Sequence, residues 1–516
     1  MVKKRLKKLM AMFLAAGMLL SAFGGCGNAP DNESASEETT EKESDAKEGE
    51  TAQEVEEDPF AEEVTLVYVL PNWYGIEPNI EAIMEEVNKY TKEKINTKIE
   101  LELIPGLEFT EKMNMKYTAG EKWDVTHGGW LNPFASGVSM GAFAEIPMET
   151  LQIYAPEYTA SISDEIWSAV KINDKIYGCP IEQQWSRQSA AIINKELATK
   201  YNFDYTKVTK LEDLTEFLAI VKENEPDAVP INLQPESLTL LVNYMGWDVI
   251  STYNVPGVVY DKADTATVIN QFETEEFREY CELAHSWYEA GYVPADAATG
   301  GESSTEKVKG IVGFDVYTPG RVSTYKDLYE CECDFVKIGE LSGLKSSLVQ
   351  EHLQVISSGC ENIERAVAFI NLLNSDKYLL SLFCNGIEGQ DYEFVDKEKD
   401  LIEITGEHYM YSFLIGNTTN EYYSNPVNVG ANEEIKELNA SSEPSVIMGF
   451  TFNADNVTTE IAQCTAVSAE YLPALVTGSV DPDTTIDAFL AALEEAGAPA
   501  IIAEMQAQID AWAASK

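Results

Sequence analysis

The sequence predicts an α/β protein of two lobes or more. From Val64 onward, short apolar runs alternate with longer stretches of helical period. About 450 residues follow that point, more than a single core of 100 to 200 residues holds. Strand–helix–strand units of this length imply a largely parallel sheet with helices on both faces. VTLVYVL (Val64–Leu70) reads as a buried strand ended by Pro71 and Asn72, and Pro78 to Lys94 carries Ile80, Ile83, Met84, Val87 and Tyr90 at helical spacing. KIELELI (Lys98–Ile104) alternates as a strand, Thr110 to Ala119 reads as a helix, WDVTHGG as a third strand and Met148 to Ala155 as a short helix. KIYGCPI (Lys175–Ile181) and SAAIINKEL (Ser189–Leu197) read as two more strands, and Thr206 to Gly257 as mostly helical. Glu275 to Ala290 is strongly amphipathic, with Phe277, Tyr280, Leu283, Ala284 and Trp287 on one face. GIVGFDVYT (Gly310–Thr318) and LQVISS (Leu353–Ser358) are strands, the latter leading to a helix over Ile363–Leu373. The chain shows no internal repeat.

The first residues carry a separate message. Lys3, Lys4, Arg5, Lys7 and Lys8 precede an apolar run from Leu9 to Leu20, then small residues and Cys26. That order is a secretory signal segment, expected to be removed as residues 1–25. The apolar run is short of the roughly 20 residues that span a bilayer. Ser21, Phe23, Gly24, Gly25 and Cys26 resemble a bacterial lipoprotein box, with Phe23 where leucine is commoner. The resemblance implies cleavage before Cys26 and acylation there, palmitate included. Two or more acyl chains suffice for stable attachment. Gly27 to Glu63 holds fifteen acids against Lys42 and Lys47 and almost no large apolar side chains. Such a segment cannot bury enough surface to order itself, so residues 26–63 read as a lipidated cysteine and a disordered acidic spacer. The expected place is the outer face of the cell membrane.

Net charge is −51, and the five basic residues near the start leave with the signal segment. A field of that sign repels phosphate backbones, which argues against nucleic acid as a partner, and it disfavours anionic ligands. With Cys26 set aside, Cys179, Cys281, Cys331, Cys333, Cys360, Cys384 and Cys464 form an odd set without framework spacing, so a disulfide-stapled fold is not expected. His127, His285, His352 and His408 lie far apart with no HExxH pairing, and no metal or other cofactor is expected.

Several strings resemble the family-1 extracellular solute-binding proteins. MKYTAGEKWDVTHGGWLNPFASGVSMGAFAEIPMETLQIYAPEY contains the Ala119–Gly120–Glu121 turn, an aromatic before Asp124 and the step Ala144–Glu145–Ile146–Pro147. VKINDKIYGCPIEQQWSRQSAAIINKEL is similar to the segment in which that family crosses between lobes. AFINLLNSDKYLLSLFCNGIEGQDYEF carries Gly386, Ile387, Glu388, Gly389 and Tyr392, and GFTFNADNVTTEIAQC, EYLPALVTGSVDP and EAGAPAIIAEMQAQIDAWAAS resemble the end of a Gram-positive lipoprotein branch. The resemblance implies a two-lobe periplasmic-binding-protein-like α/β fold (type II) with a crossover hinge. One lobe would comprise 64–180 plus about 353–400 and the other 181–352 plus about 401–516. It further implies a monomer that closes around a saccharide, expected to be an oligosaccharide, and delivers it to the permease subunits of an ABC importer. Readings from other classes are a secreted carbohydrate-active enzyme and a sensory receptor of the same fold.

Sugar recognition needs aromatic faces for the apolar side of a pyranose and planar polar groups for its hydroxyls. Open α/β sheets place ligands at the loops leaving the carboxyl ends of strands. Those loops offer Trp73 and Tyr74 after the first strand and Trp130 with Asn132 after the third. The crossing strand is followed by Glu182, Gln184, Trp185 and Arg187, and the Gly310–Thr318 strand leads to Tyr317 and Arg321. For Trp73, Trp130 and Trp185, ligand contact stands level with core or domain-interface packing, whereas the spacing of Trp287 marks it as core, and Trp123 reads as core too. Glu182 and Arg187 read as an ion pair across a cleft rim or as a hydroxyl-binding pair. No catalytic set emerges. Gly137–Val138–Ser139–Met140–Gly141 matches GxSxG, yet Asn132 and Pro133 break the strand that a nucleophile elbow requires. Cys331–Glu332–Cys333 lacks a second cluster of metal ligands nearby.

Overall fold

The computed structural model describes residues 60–73, 79–235, 237–299 and 308–516. The expected signal segment, Cys26, most of the acidic stretch and Tyr74 lie outside the described residues. Among the described residues no helix is long and apolar enough to cross a membrane.

Two sheets organise Val64–Lys516. The strands, in chain order, are β1 (Val64–Asn72), β2 (Thr97–Pro105), β3 (Val125–Gly129), β4 (Cys179–Pro180), β5 (Ser189–Asn194), β6 (Val229–Ile231), β7 (Val308–Val316), β8 (Cys333–Lys337) and β9 (His352–Ile356). The first sheet runs β2-β1-β3-β9-β4 and the second β8-β5-β7-β6. In the first, β1 is parallel to β2 and β3, whereas β9 is antiparallel to both β3 and β4. In the second, β5 is antiparallel to β7 and β8, and only β7 and β6 are parallel. The largely parallel sheet read from the sequence is therefore corrected to two mixed sheets. Returning strands such as β9 arrive through long crossovers, and their direction leaves no mark on local periodicity.

Other local readings change for similar reasons. β1 continues through Pro71 and Asn72, because β3 pairs with it only at Tyr68 and Val69 and leaves one side of Pro71 outside any ladder. Lys175–Ile181 is not one strand: Lys175–Ile176 forms a small hairpin with Lys171–Ile172, and Cys179–Pro180 becomes β4. Thr206–Gly257 includes β6 and the strand Trp247–Val249 besides its helices.

The first sheet packs around Tyr68, whose ring meets Phe369 and Phe383 edge-on at 5.3 and 5.9 Å. Helix α1 (Ile80–Ile95) buries Ile83, Val87, Thr91 and Ile95, and Arg365 donates to the terminal carbonyls of Ile95 and Asn96 at 2.7 and 2.8 Å. The second sheet shares its core with the amphipathic helix Glu275–Glu289 and the helices Thr458–Val476, Pro482–Glu495 and Ala498–Ser515. Trp287 is fully buried there, its Nε1 donating to Thr215 at 2.9 Å, and Trp123 is likewise buried. The chain leaves the first sheet after β4 and returns at β9. It remains on the first sheet to about Gly416, since Gln354 donates to the Ile415 carbonyl at 2.6 Å and Gly416 lies against Leu373.

Candidate ligand-binding site

Because β1 and β3 are parallel neighbours, their carboxyl ends open on the same edge of the sheet. Trp73 and Trp130 leave those ends and stack, with centroids 5.8 Å apart and planes 13° from parallel. Both rings are half-buried. Gly106 backs the Trp73 indole: a Cβ there would overlap the ring. Tyr411 meets Trp73 edge-on at 6.3 Å, and Tyr409 and Phe413 flank Tyr411 at 5.2 and 4.9 Å. Tyr409, Tyr411 and Phe413 escaped the sequence reading. Their signal is the alternation in HYMYSF, which places three aromatics on one side of an extended stretch.

Behind these rings, Phe413 contacts His352 at 4.9 Å, and His127 Nε2 lies 3.1 Å from His352 Nδ1. Burial, followed by the charge of Arg187, pushes His352 down to about 3, and burial followed by His352 holds His127 well below its usual range. Both imidazoles are therefore neutral at physiological pH, one ring N–H donating to the other. Asn132 is buried, its amide donating to the His127 carbonyl at 3.0 Å, so it shapes the turn under Trp130 rather than facing outward.

The crossing segment is organised differently from the pairing read in the sequence. Arg187 donates to Glu351 at 3.0 Å, not to Glu182. Glu182 accepts from Asn417 at 2.9 Å; burial raises its carboxyl, opposed by Lys436 and by Asn417. Asn439 clamps the intervening backbone, accepting from the Trp185 and Ser186 amides at 2.9 and 3.0 Å and donating to the Gln183 carbonyl at 2.7 Å. Trp185, expected on the cleft wall, is only 5% exposed. Gln184 is buried too, and its Nε2 donates to the Ser186 and Tyr317 carbonyls at 3.1 and 2.6 Å. Gln183 Nε2, Gln184 Oε1, Trp185 Nε1 and Ser186 Oγ are buried without hydrogen-bond partners among the described residues. Tyr317 donates to Glu434 at 2.5 Å, and the Lys337 ammonium lies 3.7 Å from its ring centroid. Arg321 is about half exposed and faces Asp315 at 3.6 Å. The structure thus joins Trp73 and Trp130 in one aromatic surface and separates Tyr317 and Arg321 into the second-sheet body.

The reactive-looking strings have structural places. Gly137 lies within the helix Phe134–Ser139, with no room for a Cβ against Phe143, so the GxSxG match is not a strand-to-helix elbow. Cys331 and Cys333 are free thiols 3.6 Å apart. Among the described residues no group of three or more His, Cys, Asp or Glu is arranged to hold a metal ion.

Comparison with solved structures fits this architecture. The N-glycan transport solute-binding protein NgtS from Streptococcus pneumoniae superposes with a TM-score of 0.76 at 24% identity, covering 87% of this chain and 98% of that one. The fold is that of the extracellular solute-binding proteins. NgtS in complex with Man1GlcNAc superposes with a TM-score of 0.66 at 24% identity, over 87% of this chain and 99% of that one. In sequence, this solute-binding-fold chain is 26% identical over 452 residues to a carbohydrate ABC transporter substrate-binding protein of Streptococcus pneumoniae serotype 4, covering 85% of this chain and 89% of the relative. A family model described as a domain of unknown function, DUF3502, matches residues 446–514, the stretch that includes the last three helices. The resemblance and the two-lobe α/β class read from the sequence both hold.

Proposed function

We propose that this chain is the extracellular solute-binding component of an ABC importer and that its cargo is an oligosaccharide. The observation that carries the reading is the stacked Trp73–Trp130 pair with Tyr411 edge-on to it, set at the carboxyl ends of β1 and β3. Flat aromatic faces match the C–H faces of pyranose rings, and an extended run of them suits several linked rings better than one. The sequence relative is named for carbohydrate transport, and NgtS has been crystallised with both Man1GlcNAc and Man5GlcNAc, which supports the same cargo class. In this reading the bodies built on the two sheets close around the sugar, and no bond is made or broken. Acylated Cys26 and the acidic stretch after it hold the working part at the outer membrane face, as a monomer.

The test is a thermal-shift screen with linear and branched oligosaccharides, followed by calorimetry and product analysis on the hits. Saturable binding that raises the melting temperature, with the sugar recovered intact, is expected. A screen without a hit, or products in molar excess over protein, would overturn the reading.

A further inference from the structure

We propose that Lys345–Glu351 is a rigid strut by which the second-sheet body holds the Trp73–Trp130 platform of the first, with Lys345 as its positioning residue. The proposal rests on the solute-binding reading and adds the element that couples the two bodies. Lys345 is 3% exposed. Its ammonium donates to the Trp247 carbonyl at 2.6 Å and to Asn243 Oδ1 at 3.1 Å, and lies 3.5 Å from Asp261 Oδ2. Asp261 also accepts from the Gly343 amide at 2.9 Å, and Asp248, hydrogen-bonded to Ser445, faces the same ammonium. Moving Lys345 would leave charges unpaired in a low-dielectric interior, so this end of the segment is fixed.

The middle is fixed as well. Ser346 Oγ accepts from the Gly449 amide at 2.7 Å, and the helix Ser346–Gln350 buries Val349. At the far end, Gln350 donates to the Ala169 carbonyl at 2.6 Å and the Glu351 carbonyl accepts from the Trp130 amide at 3.2 Å. The Glu351 carboxylate meets Arg187, and the next residue, His352, opens β9 beside β3. Gly129 stands at φ 125°, and a Cβ there would overlap the Glu351 carbonyl, so only glycine lets the platform strand approach the strut this closely. A single hydrogen-bonded helical turn pinned at both ends does not stretch. Residues 181–188 run beside the strut and are tied to it, Ile181 donating to the His352 carbonyl at 3.0 Å and Arg187 to Glu351, so relative movement of the two bodies is left to the crossing after Gly416, while any shift of the strut reaches the Trp130 backbone directly.

Spin labels at Glu149→Cys and Lys207→Cys, both exposed, in a Cys331→Ser background would report the distance between the bodies by pulsed dipolar spectroscopy. In ligand-free protein we expect a narrow distribution that Lys345→Met broadens, with the circular dichroism of the fold retained. Affinity for a hit from the oligosaccharide screen should fall about tenfold. Gly129→Ala attacks the other end and should shift the distance distribution and weaken binding without touching the Lys345 cluster. Unchanged distances in Lys345→Met overturn the proposal; if that variant does not fold, unchanged distances in Gly129→Ala do so. Because the distances are read without ligand, a failed sugar screen would sink the cargo reading and leave the strut tested independently.

Discussion

The Trp130 indole lies parallel to that of Trp73 at 5.8 Å, although each ring belongs to the end of a different strand. Their stacking depends on β3 lying beside β1, and on Gly106 leaving space behind Trp73.

Trp73→Ala should therefore weaken oligosaccharide binding by about 2 kcal/mol, roughly thirtyfold, while costing the ligand-free fold little. Gly106→Ala, which would push the indole off its seat, should weaken binding in the same direction. Calorimetry on both variants, set beside their ligand-free melting curves, checks this. Full affinity in both would remove the stacked pair from the site.

Trp185→Ala should behave in the opposite way. A tryptophan 5% exposed costs about 3 to 5 kcal/mol of stability when truncated. Denaturant unfolding should show a loss on that scale. A variant of unchanged stability and weakened binding would return Trp185 to the cleft wall.

Asp248 should leave a signature in pH-dependent stability. Burial pushes its carboxyl up to about 6, with Lys345 and Ser445 opposing and Asp261 adding to the rise. The folded state then holds this proton more tightly than the unfolded chain, so the contribution of Asp248 to stability is present below about pH 4 and is lost as pH rises to about 6. Asp248→Asn should flatten that part of the profile. Identical slopes for the two proteins between pH 4 and 6 would disprove the assignment.

Cys26→Ser should abolish incorporation of labelled palmitate and either release the protein into the medium or leave its signal segment uncleaved. Fractionation and mass spectrometry of the first residues read both. A variant that is processed normally and stays with the cells would show that Cys26 is not the anchor.

What was legible in the sequence was local. The amphipathic face of Glu275–Glu289, the cores around Trp123 and Trp287, and the strands β1, β2, β7 and β9 follow from the spacing of apolar side chains, which a short window contains. The loops carrying Trp73 and Trp130 were legible for the same reason, since each directly follows a strand. The family strings added the α/β lobes and the solute-binding fold. What only the tertiary structure decided was which distant pieces meet. Tyr411 reaches Trp73, Arg187 pairs with Glu351 rather than Glu182, Trp185 turns inward under the Asn439 clamp, and β9 runs antiparallel to β3. Side-chain period is fixed by the backbone of a few neighbouring residues, whereas strand direction and side-chain partners are set by pairing and packing between segments far apart in the chain.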